Sequence, residues 1–101
     1  MTNSPYTPYP IDTSDVELSE ELQQLVEQLA RNVHENWALN RLNDGWSYGP
    51  KRDDSLKQNP CLVDYNELPD SEKKYDRNTA IETLKTILKL GWKITQHEDK
   101  T

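Results

Sequence analysis

The apolar residues of this chain gather into two helix-length stripes, and the long stretch between them is rich in turn-forming and polar residues. Leu22, Leu25, Val26, Leu29, Val33 and Trp37 recur at intervals of three and four, with Gln23, Gln24, Glu27, Gln28, Arg31 and Glu35 on the other faces. That period predicts an amphipathic helix over about residues 19 to 43. Ser19 stands before Glu20 and Glu21, which suit the positive end of a helix dipole, and Asn43-Asp44-Gly45 supplies a left-handed stop. A second stripe of Ala80, Ile81, Leu84, Ile87 and Leu88 predicts a helix from Pro69 to about residue 90. Pro69, Asp70 and Glu72 fit its start, Lys85 and Lys89 its negative end, and Gly91 its stop. The fold expected is therefore mainly α, two long helices flanking a structured loop.

From Trp46 to Leu68 the residues read as ordered loop with short β pieces, at Trp46-Ser47-Tyr48 and at Cys61-Leu62-Val63. Trp92 and Ile94 suggest one more short strand. A loop of about 20 residues inside a compact domain is more often functional than incidental. Residues 1–17 interleave Pro5, Pro8 and Pro10 with Tyr6 and Tyr9, which favours an extended arm and forbids a helix. The domain proper is expected over 18–94, with a polar C-terminal tail over 95–101.

Only 20 of the 101 residues are Leu, Ile or Val, Phe is absent, and mean hydropathy is -1.03, so the core must be thin. Three Trp and five Tyr compensate in part. A chain of this size buries roughly 65% of its unfolded surface, which leaves stability marginal and favours a partner surface. No apolar run approaches the 18 or so residues of a membrane span, and no signal-peptide core follows Met1, so a cytoplasmic location is expected. Net charge is -6, with 2 basic and 8 acidic residues before position 51 and 10 of each after it. That balance argues against binding nucleic acid through bulk attraction to phosphates. One cysteine, Cys61, allows no internal disulfide, and one thiol with two His makes no cysteine-based zinc cluster. No metal site and no cofactor are expected.

The densest polar and aromatic constellation is Trp46, Tyr48, Lys51, Arg52, Asp53 and Asp54 in the loop, followed by Tyr75, Asp76, Arg77 and Asn78 in the second helix. Two readings compete. In one, Asp53 or Asp54 pairs with Arg77, and Asp76 pairs with Arg52 or caps loop amides, because a loop with little apolar content needs such pins. In the other, the guanidinium groups and aromatic rings present a pocket for a small anionic or planar ligand. Catalysis finds little support. His34 and Glu35 are neighbours on a helix and point about 100° apart, and there is no phosphate loop, HExxH, nucleophile elbow or paired-carboxylate site. His34 reads as a structural histidine, or one that acts through another residue, beside the apolar stripe, and Cys61 as a small buried hydrophobe with a reactive thiol as the alternative.

Specific blocks also carry a resemblance. Asn32-Val33-His34-Glu35-Asn36-Trp37-Ala38, Gly45-Trp46-Ser47-Tyr48-Gly49-Pro50-Lys51-Arg52-Asp53-Asp54, Asn59-Pro60-Cys61-Leu62-Val63, Leu68-Pro69, Tyr75-Asp76-Arg77-Asn78, Glu82-Thr83-Leu84-Lys85 and Leu90-Gly91 follow in this order. Over roughly residues 9 to 94 the chain resembles the RyR domain, the repeat found in tandem in ryanodine-receptor calcium channels and singly in bacterial proteins. The resemblance implies an α-rich, RyR-repeat-like module and, with no pore segment here, no channel.

In the receptors two repeats face each other about a pseudo-twofold axis, so the resemblance implies that a single repeat forms a homodimer. It further implies an adenine-nucleotide-like ligand, with Trp37 stacking on the base and Asn59 and Asp76 at ligand-contacting positions. Asp76 stands where an Asn is expected in one ligand-lining repeat, and a carboxylate disfavours a nearby phosphate unless Arg52, Arg77 or a metal offsets it. The expectation is a non-enzymatic binding module whose ligand residues are Trp37, Trp46, Tyr48, Arg52, Asn59 and Asp76. Its rival is a ligand-free adaptor for protein partners.

Overall fold

A computed structural model describes residues 5–97; Met1–Ser4 of the arm and the last four residues of the tail lie outside the described part. The order is α1 (Glu20–Asn43), a 3-10 turn (Tyr65–Glu67) and α2 (Asp70–Lys89). The two helices lie within a residue of their expected bounds, and the local reasons hold. The Ser19 hydroxyl accepts from the Leu22 N–H at 3.2 Å, closing one of the orphan amides at the start of α1. Gly45 at φ 90° and Gly91 at φ 96° follow the two helix ends in the left-handed region that glycine alone adopts at no cost. Pro69 sits one position earlier than expected, as the cap residue of α2 rather than in its first turn. Ser19→Ala is expected to cost about 1 kcal/mol, read as a shift in the midpoint of urea unfolding with an unchanged slope.

The expected β pieces do not form. Among the described residues there are only two isolated bridges, Ser47 with Gln58 and Asp53 with Gln58, and neither Cys61–Val63 nor Trp92–Ile94 pairs as a strand. Hydrogen bonds local to the loop do the work instead. The Asp53 carboxylate accepts from the Ser55 N–H, the Ser55 hydroxyl and the Leu56 N–H. Asn59 Oδ1 accepts from the Cys61 N–H at 2.8 Å, and Asp64 takes the Asn66 N–H. Such side-chain turns satisfy backbone groups that a ladder would otherwise pair. Gly49 is buried where the loop closes on itself, and a Cβ there would meet the Gln58 Cβ at 2.5 Å.

The core has two parts. Leu18, Val26, Ala80 and Leu84, with Leu22, Leu29, Ile81, Leu88 and Ile94 packed against them, form the seam between α1 and α2. The second part is Ala30, Tyr65 and Leu68, flanked by Cys61 and Val63, and it fastens the loop to α1. In this second half of α1 the buried face turns toward Ala30 and His34, away from Val33 and Trp37, because Tyr65 and Val63 of the loop cover it. Arm residues 5–12 are exposed, but Thr13 is buried and donates its hydroxyl to Glu82 at 2.8 Å, and Asp15 pairs with Lys89 at 2.9 Å. The end of the arm is thus moored along α2.

Candidate functional site

Where the loop passes over the C-terminal half of α1 and the N-terminal half of α2, it leaves a cleft of about 390 Å³. α1 supplies His34 and Trp37 at i, i+3, and α2 supplies Glu72, Tyr75 and Asp76 on one side of its first turns. The loop adds Arg52, Asn59, Pro60 and Cys61. The volume lies toward the small end of the roughly 300–1,000 Å³ range of small-molecule sites.

Identifiable contacts hold His34, Trp37 and Asn59 in place. His34 is 3% exposed, and its Nε2 lies 2.7 Å from the Val63 carbonyl, so Nε2 carries the hydrogen. The imidazole stacks on Trp37 with centroids 5.6 Å apart and lies 6.1 Å from the Tyr65 ring. The Arg41 guanidinium is 5.9 Å from the Trp37 centroid and 5.2 Å from that of Trp46. Trp37 is therefore a preorganised wall of the cleft, already touching protein groups, and not a free-standing platform. Asn59 spends its oxygen on the Cys61 amide, and its NH₂ has no hydrogen-bond partner among the described residues.

Charge in the cleft is unbalanced. Arg52 is the one guanidinium lining it, and that side chain already pairs with Asp54 at 2.9 Å on the exposed rim. Glu72 and Asp76 face it with two carboxylates, and Asp76 forms no ion pair or hydrogen bond among the described residues. Burial pushes the Asp76 carboxyl above its ordinary value, outweighing the lowering that His34 exerts in its protonated form, and neighbouring Glu72 adds to the rise. Burial also raises the Cys61 thiol, assisted by Glu72 and Asp76, which makes it a poor nucleophile.

A carboxyl bound more tightly to its proton in the folded chain stabilises the fold below the unfolded value, and that contribution is lost as pH rises through the folded one. Asp76→Asn is therefore expected to raise the melting temperature at neutral pH. The gap to the unsubstituted chain should close as pH falls into the carboxylate range.

Of the six ligand residues expected from sequence, the cleft brings together Trp37, Arg52, Asn59 and Asp76. Trp46 and Tyr48 lie outside it. Trp46 packs on Arg41 and donates its backbone N–H to the Arg41 carbonyl, so it pins the loop to α1, and Tyr48 is exposed. The expected ion pairs are also rearranged. Arg77 does not meet Asp53 or Asp54; it holds Glu27 of α1 in a two-bond fork at 2.7 and 3.1 Å. Asp53 caps the loop turn, Asp54 pairs with Arg52, and Asp76 is left to the cleft. Glu27 also accepts from the Tyr65 hydroxyl at 2.8 Å, and these two donors hold its carboxyl below the usual range.

His34, Glu72 and Tyr75 are cleft residues absent from the sequence-based set. The i, i+3 spacing of His34 and Trp37 and the i, i+4 spacing of Glu72 and Asp76 carried the signal. Among the described residues no cluster of His, Cys, Asp and Glu has the arrangement of a metal site, and no helix is long and apolar enough to cross a membrane. Compared with known families, residues 6–96 match the model of the RyR domain.

Proposed function

The chain belongs to the RyR-domain family, and from that premise we propose that it is a non-enzymatic binding module whose cleft takes a small, planar, nucleotide-like ligand. One observation carries the reading: four residues drawn from α1, two points of the loop and α2, namely Trp37, Arg52, Asn59 and Asp76, converge on one small cleft beside a buried histidine. An indole wall for a ring, a few polar groups to orient it and a guanidinium at the rim are the elements such a site needs. Adenine nucleotides are the class to try first, since the family resemblance points to them, with guanine nucleotides as the comparison. Cys61 and His34 are not poised for chemistry: the thiol is held protonated, and His34 is tied to a backbone carbonyl.

Dimerisation is part of the proposal. A repeat that occurs in facing pairs and has a thin core gains from a twofold contact with a second copy, and such contacts are the commonest in oligomers. Calorimetric titration with adenine and guanine nucleotides tests the ligand claim, with saturable heat the expected result. No saturable heat with any of them removes the claim.

A second reading, an adaptor that docks a protein partner, is favoured by the N-terminal arm, where Tyr6 and Tyr9 are 86% and 96% exposed. Sedimentation of the pure protein separates part of this. A monomer at every concentration contradicts the dimer, and a partner lost on deleting residues 1–11 supports the adaptor.

A further inference from the structure

If the cleft is a ligand site, its hydrogen-bonding groups already state what kind of ring edge it accepts. The Nε2 hydrogen of His34 is committed to the Val63 carbonyl, so Nδ1 of the neutral ring is an acceptor. That nitrogen has no partner among the described residues, although the side chain is 3% exposed and lines the cleft. Among the described residues no buried side-chain nitrogen or oxygen is left without a partner, so Nδ1 keeps some exposure, on a residue that lines the cleft. Asp76, ionised, offers two acceptor oxygens with no protein donor on them. Glu72, four residues earlier on the same face of α2, adds two more. Against these acceptors the cleft presents few neutral donors: the NH₂ of Asn59, whose oxygen is taken by the Cys61 amide, the Cys61 thiol beside Glu72, and the Tyr75 hydroxyl on the exposed side.

We propose that Asp76 and Asn59 together select a guanine-type edge, in which a carbonyl oxygen stands beside two neighbouring N–H donors. A carboxylate accepts two parallel N–H bonds at once, and the N1–H and N2–H₂ of guanine supply them. The Asn59 NH₂ then meets O6. Adenine presents a lone pair at N1 and a single amino group beside it. Its N1 lone pair faces the Asp76 carboxylate and leaves that charge without a second donor. The same logic makes Asp76 the specificity residue. An amide at this position has one donor and one acceptor, the complement of adenine's N1 and N6–H₂. Arg52 lies at the rim next to Asp54, so a phosphate fits outside the acidic interior, which disfavours it.

The test is calorimetric titration, at neutral pH, of the whole chain and of Asp76→Asn with GMP, IMP and AMP. IMP keeps N1–H and lacks the amino group at position 2. The expected order for the unsubstituted chain is GMP, then IMP, then AMP, with GMP about tenfold or more tighter than AMP. In Asp76→Asn the preference should fall or reverse. AMP binding as tightly as GMP in the unsubstituted chain overturns the guanine assignment and leaves the cleft as a ligand site. A GMP preference that survives Asp76→Asn overturns the role of Asp76. No binding of any of the three defeats the cleft reading itself and this inference with it.

Discussion

Tyr65→Ala is expected to cost about 3–5 kcal/mol, the range for emptying the site of a buried aromatic ring, and so to remove a large share of the roughly 5–15 kcal/mol that holds a domain of this kind together. Tyr65 is 1% exposed and is the largest fully buried side chain among the described residues. It anchors the second core cluster with Ala30 and Leu68, lies 6.1 Å from His34, and sends its hydroxyl to Glu27 at 2.8 Å. Arg31 and Lys73 also lie over its ring, at 5.1 and 5.5 Å. Truncation therefore releases the loop from α1 and slackens the wall behind the cleft in one step. Tyr65→Phe keeps the ring and loses one hydrogen bond, about 0.5–1.5 kcal/mol. Chemical denaturation of the two variants checks both; equal, small losses would show that the loop is held by its own turns and not by this ring.

Trp37→Ala should weaken nucleotide binding by about 1–3 kcal/mol, roughly 5- to 150-fold, the range measured for removing an aromatic partner from a stacked base. The effect on folding should be smaller than that of Tyr65→Ala, because Trp37 is only partly buried and belongs to neither core cluster. Its position explains why the loss falls on binding: the indole is held by His34 on α1 and by Arg41, and lines the cleft. Calorimetry of a variant shown to be folded by near-ultraviolet circular dichroism gives the comparison. Unchanged affinity would place any bound nucleotide elsewhere on the protein.

Both helices were legible in the sequence because their signals are local: stripes of period 3.6, Ser19 as cap, and Gly45 and Gly91 as stops. What was not legible depends on which segment covers which. His34 looked peripheral to the stripe of α1, and only the return of the loop through Val63 and Tyr65 buries it. Trp46 and Tyr48 have the composition of a binding loop, yet the contact between Trp46 and Arg41 turns that stretch outward. The partner of Arg77 could not be read from its neighbours in sequence, since Glu27 lies 50 positions away on the other helix. The β pieces were expected from short apolar runs, but with no second strand nearby such runs are held by Asx turns and the two bridges to Gln58.

The account stands or falls on whether a ligand enters the cleft beside Trp37. The chain carries three tryptophans, Trp37 in the cleft, Trp46 on Arg41 and Trp92 exposed after α2, so their indole N–H signals act as one probe and two internal controls. In a ¹⁵N-resolved titration with GMP and AMP, the Trp37 indole should move saturably, in step with the backbone amides of Asn59 and Asp76, while Trp46 and Trp92 stay in place. A titration in which no indole moves, or in which Trp46 or Trp92 moves and Trp37 does not, contradicts it.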